Sequence, residues 1–125
     1  MGTRFTLGWW TVTDCLFCSI AAGEVPATLV HEDDIVLAFR DINPQAPTHV
    51  LVIPREHIRS AAELTPAQDP LWARLLHVGQ RVAEADGIDE SGFRIVTNIG
   101  RDGGQTVDHL HLHVLGGRPM SWPPG

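Results

Sequence analysis

Three histidines alternate with two leucines at residues 109–113, and this stretch constrains the fold more than any other part of the chain. Successive side chains of a β-strand point to opposite faces of its sheet. A strand over residues 108–115 therefore places His109, His111 and His113 on one face and the intervening leucines on the other. The pattern predicts a strand that packs on a hydrophobic core through its leucines and presents three imidazole rings elsewhere.

Three imidazoles on one strand face suit a metal site, a nucleophile with a supporting acid and base, or a solvated edge. Three alternate positions spread the rings along roughly 13 Å. One metal ion cannot easily collect all three, although two of them could share one. The neighbouring sequence has to distinguish these alternatives.

A glycine-rich loop over residues 98–106 leads directly into the histidines. Its glycines allow close backbone approach, so that several amide N–H groups can point at one anion. Asn98, Gln105 and Thr106 add neutral donors. A glycine loop alone is a weak signal, but next to three histidines on one face it predicts a phosphate cradle beside a nucleophile.

Length and charge limit the function classes. The chain has 125 residues, which suits one domain, and a net charge of −6 without a basic cluster. We therefore expect no binding to nucleic acid, which needs a basic face, although a single nucleotide remains compatible. No apolar run approaches the ~20 residues of a membrane-spanning helix, and no signal peptide is recognisable. A cytoplasmic protein without membrane contact is the default, and two cysteines are too few for a disulfide scaffold.

Apolar periodicity and turn residues predict the order of elements. Helices are predicted over residues 15–24 and 66–86, and strands over 27–31, 35–40, 49–54, 92–98 and 108–115. Thr65 and Pro66 are expected to begin the long helix, and Gly87 to end it. Residues 1–14 form a predicted loose leader and 116–125 an irregular tail of the single domain at 15–125. The order predicts an α+β fold with a mostly antiparallel sheet.

Several motifs together resemble one family. The sequence HLHLHVL at residues 109–115 matches the His-φ-His-φ-His-φ-φ motif of the histidine-triad (HIT) superfamily. The segment DINPQAPTHVLVIPREH at 41–57, the glycine loop and the tail LGGRPMSWPPG are similar to its nucleoside-phosphoramidate hydrolase (HINT) branch. The resemblance spans residues 15–125. It implies a HIT-like fold of five mainly antiparallel strands with one long and one short helix, paired into a ten-stranded sheet in a homodimer.

The resemblance also implies a reaction. His111 would attack the α-phosphorus of a purine nucleoside 5′-phosphoramidate, and water would release AMP from the nucleotidyl-histidine intermediate. One hard displacement thereby becomes two easier ones, without a catalytic cofactor. By the same resemblance His49 and His113 would orient His111 and set its tautomer. The implied catalytic set is His111, His113, His49, His109 and Thr106.

The resemblance further implies a nucleotide site. Asp41 would take the two ribose hydroxyls, and Asn98, Gly104, Gln105 and Thr106 would contact the phosphate. The implied apolar base pocket consists of Leu16, Phe17, Ile20, Phe39, Ile42 and Leu51. Trp122 in the tail would reach the partner's site in the homodimer and help select the amine half of the substrate.

A Cys-x-x-Cys pair at Cys15 and Cys18 departs from the animal members of this branch. Some bacterial members hold zinc with such a pair, a histidine like His57 and the first triad histidine, here His109. Two thiolates and two imidazoles suit tetrahedral zinc, which would then be structural. Buried free thiols are the alternative, and a redox pair is disfavoured because no strand leads directly into the motif.

Three other functions remain open from the sequence. A dinucleoside polyphosphate hydrolase belongs to the same superfamily, and the WPPG tail favours the phosphoramidate reaction over it. A nucleotide-binding regulatory module with incidental hydrolysis is a second alternative. A purely zinc-storing or structural protein is a third, and the intact phosphate loop argues against it.

Overall fold

A computed structural model describes residues 15–125, so the predicted leader at 1–14 lies outside the described residues. Five antiparallel strands form one sheet in the order β1-β2-β3-β5-β4. One short and one long helix accompany it, which confirms the predicted α+β fold. The elements are α1 (Leu16–Ala21), β1 (Leu29–Glu32), β2 (Val36–Arg40), β3 (Thr48–Pro54), α2 (Asp69–Ala85), β4 (Phe93–Val96) and β5 (Leu112–Gly116).

The sheet has an apolar layer on each face, and β3 lies at its centre with every residue buried. Val50 and Val52 of β3 belong to the larger core, where the sheet packs against α2. Leu51 and Ile53 point to the other face and join a smaller cluster that includes Phe17 of α1. Covering on both faces explains why β3 reads as a continuous apolar run.

The long helix begins later than predicted. Residues Pro66–Gln68 form a separate 3₁₀ turn, and α2 starts at Asp69. Thr65 precedes this turn instead, and its N–H donates to the side-chain oxygen of the turn's last residue at 2.9 Å. Pro70 supplies no N–H that could bond the carbonyl of Pro66 four residues earlier, which favours a break at this point. The predicted end is confirmed, because Gly87 follows the helix with a φ of 73°.

The predicted strand over residues 108–115 is wrong in its first four residues, since β5 begins at Leu112. Its ladder with β3 would continue by placing Leu110 opposite Pro54, which has no N–H to donate. The N–H of Leu110 donates instead to the carbonyl of Ile58 at 2.6 Å. Only the third histidine of the triad therefore lies in the strand. The remaining elements lie where predicted, with ends shifted by a few residues.

No helix within residues 15–125 combines the length and the apolar character needed to cross a bilayer.

Candidate active site

The alternation of histidine and leucine produces two chemically different faces, as predicted, although the strand is shorter. Leu110 and Leu112 are about 1% exposed and lie in the core beneath α2. His109 and His111 are also buried, at 0% and 5% exposure, but they contact the opposite layer. The ring of Phe17 packs edge-on against both imidazoles, with centroids 5.9 and 5.2 Å away. The α1 helix thus covers the first half of the triad.

One ring nitrogen of His111 is fixed by the backbone. Its Nδ1 lies 2.7 Å from the carbonyl oxygen of His109, which can only accept, so Nδ1 carries the proton and donates. In the neutral ring the other nitrogen, Nε2, then holds the lone pair and is the atom able to attack an electrophile. Thr97 Oγ1 donates to the carbonyl of His111 at 2.8 Å and fixes this residue further. His113 contacts the His111 ring by packing, with centroids 5.0 Å apart.

His49 and His113 form a hydrogen-bonded pair beside His111. The backbone N–H of Gln45 donates to Nδ1 of His49 at 3.0 Å, so the proton of the neutral His49 ring lies on Nε2. That Nε2–H donates to Nδ1 of His113 at 2.9 Å. Asp41 Oδ2 lies 3.4 Å from the same Nε2. The sequence did not reveal the contribution of Gln45, since a backbone donor leaves no signal in residue identity.

Burial keeps this pair uncharged. It lowers the pKa of His113 to about 4, with the nearby His111 and His49 rings adding to the effect. Burial also lowers the pKa of His49, although the charge of Asp41 opposes it. Both rings are therefore neutral at pH 7, which the single shared proton between His49 and His113 requires.

An ion pair at the end of α2 supports the residues that precede this site. Asp86 accepts two hydrogen bonds from the Arg40 guanidinium, at 2.6 and 2.9 Å, and one from Thr48 Oγ1 at 2.8 Å. These hydrogen bonds lower the pKa of the Asp86 carboxyl. Because Arg40 and Thr48 directly precede Asp41 and His49, the pair ties α2 to two predicted site residues. Sequence periodicity did not single out Asp86.

The glycine loop is closed by its own side chains. Asn98 Nδ2 donates to the carbonyl of Gly103 at 2.7 Å, and the N–H of Gly104 donates to Arg101 O at 3.0 Å. The Gln105 amide accepts from one loop N–H and donates to two further carbonyls. Three predicted phosphate contacts therefore hold the loop in shape here. Within residues 15–125 the Thr106 hydroxyl makes no hydrogen bond, so it can donate to a ligand.

An apolar cavity of about 300 Å³ opens beside the loop. All six residues predicted for the base pocket line it, and Asp41 and Thr106 do so as well. Ile42 at its rim is 97% exposed. The sequence analysis did not assign residues 25–27, Arg40 and Val107 to this pocket, although they line it as well. The predicted base-pocket residues thus surround one cavity, whereas the predicted phosphate contacts Gly104 and Gln105 line a second cavity that shares Thr106 with it.

The four predicted metal ligands also converge. One ligand atom from each of Cys15, Cys18, His57 and His109 lies within 4.8 Å of all the others. His109 Nδ1 lies 3.3 Å from Cys15 Sγ and 3.5 Å from Cys18 Sγ, and His57 Nδ1 lies 3.2 Å from Cys18 Sγ. Tetrahedral zinc with ordinary bond lengths separates sulfur and nitrogen ligands by about 3.5 Å.

Local bonds prepare two of these ligands for a metal. His109 Nε2–H donates to the carbonyl of Pro54 at 2.9 Å, which leaves the Nδ1 lone pair directed at the sulfurs. Burial lowers the pKa of His109 to about 4, and a neutral imidazole is the form that binds metal. Cys15 caps α1, and its Sγ accepts from the Cys18 N–H at 3.3 Å. The donor set therefore fits a closed zinc site.

Trp122 is not brought to the site within one chain. Its side chain is 82% exposed in the C-terminal tail. Arg94 of β4 donates to the carbonyl of Ser121, the residue before Trp122, and so attaches the tail to the sheet. The predicted role of Trp122 in a partner's site stays a prediction.

An antiparallel sheet with three alternating histidines beside a glycine loop and an apolar cavity has the features that the resemblance implies for a histidine-triad protein. The HIT domain profile matches residues 22–120, and the chain belongs to this family. The "Purine nucleoside phosphoramidase" of Escherichia coli (strain K12) is 43% identical over 107 residues, covering 86% of this chain and 90% of the relative. A "14 kDa zinc-binding protein" of Brassica juncea is 47% identical and covers 90% of this chain and 100% of the relative.

Solved structures agree with the fold. The crystal structure of a HIT family hydrolase from Legionella pneumophila Philadelphia 1 is 53% identical, with a TM-score of 0.88. The matched region covers 90% of this chain and 100% of the Legionella chain. At this level of similarity the two chains share the HIT fold.

Proposed function

We propose that this protein hydrolyses purine nucleoside 5′-phosphoramidates through a covalent nucleotidyl-histidine on His111. The observation that carries the proposal is the hydrogen bond from His111 Nδ1 to the His109 carbonyl, which leaves the Nε2 lone pair of the neutral ring available for attack. The relative named purine nucleoside phosphoramidase supports the substrate class. An imidazole attacks well near pH 7 because it is neutral and needs no deprotonation.

The reaction has two displacements. Nε2 of His111 forms a bond to the α-phosphorus while the phosphorus–nitrogen bond breaks, and the leaving nitrogen takes a proton from solvent through the Thr106 hydroxyl. Water then attacks the phosphorus, the bond to Nε2 breaks, the proton of the water returns to solvent by the same hydroxyl, and AMP is released. The Thr106 hydroxyl supports both steps as a donor toward the phosphoryl oxygens or the leaving nitrogen. Donors aimed at developing charge supply much of the rate in such reactions.

The cavities on either side of Thr106 suit the two halves of the substrate. The apolar cavity of about 300 Å³ takes the nucleoside, with Asp41 at the ribose hydroxyls. A second, open cavity of about 510 Å³ also includes Thr106, together with Arg59 and Asp108. A phosphate held at Thr106 therefore has the base on one side and its amine on the other. Contacts to the base are apolar, which favours a broad purine preference.

Zinc bound at Cys15, Cys18, His57 and His109 would be structural, since it supplies fixed coordination rather than chemistry at the phosphorus. The name of the Brassica juncea relative supports a metal in this branch. His109 would join this site to the nucleophile, because its Nδ1 faces the sulfurs while its carbonyl accepts from His111. Zinc would thereby fix His109, and a fixed His109 carbonyl would preserve the orientation of the His111 ring.

We also propose a homodimer. The strand β4 lies at an edge of the sheet, where a second copy could continue the ladder into ten strands. Trp122 would then reach the partner's site. A cytoplasmic location stays a prediction from the sequence.

The test compares turnover of adenosine 5′-phosphoramidate and diadenosine triphosphate in chelator-treated buffer. AMP released faster from the phosphoramidate supports the proposal. Faster cleavage of the dinucleotide would assign a polyphosphate hydrolase instead. Tight AMP binding without turnover of either compound would assign a nucleotide-binding module.

A further inference from the structure

The C-terminal tail reaches the histidine site through Arg118. The backbone leaves β5 at Gly117, whose φ of 91° is one that side-chain-bearing residues rarely adopt. A Cβ built there would lie 2.8 Å from Cβ of Pro47, so the tail lies directly against the turn before β3. This approach brings the Arg118 guanidinium to the carbonyl of Gln45.

The guanidinium holds that carbonyl with two donors. Nε and Nη2 lie on one edge of the group and donate to Gln45 O at 3.2 and 3.0 Å. Nη1 donates to the carbonyl of Pro119 at 3.1 Å, which fixes the orientation of the plane. A lysine ammonium cannot reproduce this edge geometry.

Gln45 is also the residue that orients His49. Its N–H donates to His49 Nδ1, and the opposite nitrogen of His49 then donates to His113. Arg118 therefore restrains the carbonyl of Gln45, whereas the N–H of Gln45 determines which nitrogen of His49 carries the proton. His113 in turn packs against the His111 ring.

We propose that Arg118 is a positioning residue that fixes the tautomer of His49, and through it the hydrogen bond to His113, by holding the Gln45 backbone. Without Arg118 the Gln45 carbonyl loses both hydrogen bonds from the tail, and the Gln45 N–H is no longer held in its direction toward Nδ1. His49 can then carry its proton on either nitrogen, and the bond to His113 is populated only part of the time. The expected effect on turnover rests on the proposed function, whereas the tautomer does not.

The experiment records ¹⁵N spectra of histidine-labelled full-length protein at pH 7, with the His49 signals assigned by their loss in H49Q. In the wild type Nδ1 of His49 should have the shift of an unprotonated nitrogen and Nε2 that of a protonated one. In Arg118→Ala the two shifts should move toward each other, and turnover of adenosine 5′-phosphoramidate should fall about tenfold. Arg118→Lys should lie between the two, because it restores one donor.

Arg81→Ala is the matched control. Arg81 pairs with Glu84 on α2, with 68% of its side chain exposed, and its loss should leave both readouts unchanged. Unchanged His49 shifts in Arg118→Ala would overturn the proposal, even if turnover falls. If Arg118→Ala fails to fold by circular dichroism, Arg118→Lys alone must show the intermediate shifts. A wild type with the expected tautomer but without turnover would refute the proposed function and leave the positioning role intact.

Discussion

Acidification should destabilise the fold through His113. Its pKa is lowered from 6.5 to about 4 by burial, with His111 and His49 contributing, whereas the unfolded chain returns it to its ordinary value. Between these two values the unfolded state binds the extra proton. The native state is therefore fully stable above about pH 6.5, and stability is lost as the pH falls toward 4. Linkage for this one group gives a loss of about 2 kcal/mol between pH 7 and pH 5.

Urea unfolding at pH 7 and pH 5 measures this loss, with His113→Gln as the comparison. The variant keeps a side chain that can accept from His49 but removes the titrating ring. The wild type should lose about 2 kcal/mol more than the variant over this interval. An equal loss of unfolding free energy in both proteins would refute the idea that His113 is neutral in the folded protein. A constant zinc concentration keeps metal binding common to both.

Three further predictions concern the loop, the metal and the ribose. Gly103→Ala places a Cβ 2.3 Å from the Ile99 carbonyl, so the loop must shift, and AMP affinity should fall about tenfold by calorimetry; unchanged affinity would separate this loop from the phosphate. Cys15→Ser should lower the bound zinc measured by elemental analysis and lower the melting temperature, and a chelator should then have less effect; equal zinc content would exclude Cys15 as a ligand. Asp41→Ala should weaken AMP more than its 2′,3′-dideoxy analogue in the same assay; equal weakening would mean that Asp41 does not hold the ribose.

Strand periodicity and turn preferences correctly predicted those features that depend only on residues near each other in the chain. The period of two placed Leu110 and Leu112 in the core opposite the histidines, and the structure confirms it. The end of α2 at Gly87 followed from its conformational freedom. The grouping of the residues around the apolar cavity and of the two cysteines with two histidines followed from the family resemblance, which compares whole motifs rather than local preferences.

Features that depend on contacts between distant parts of the chain could not be predicted from the sequence. The start of β5 depends on Pro54, which stands opposite Leu110 only once the register of two distant strands is known. The partners that orient the rings are backbone carbonyls and amides, such as His109 O and Gln45 N. Every residue type carries these groups, so residue identity cannot reveal them.

The covalent intermediate tests the central claim most directly. The wild-type protein is mixed with adenosine 5′-phosphoramidate, quenched within the first turnover, and mapped by mass spectrometry. We expect an adenylate on the peptide that contains His111, attached to that ring, and neither adduct nor turnover in His111→Ala while AMP binding is kept. An adduct on another residue, or sustained turnover in His111→Ala, would contradict the assignment of His111 Nε2 as the nucleophile.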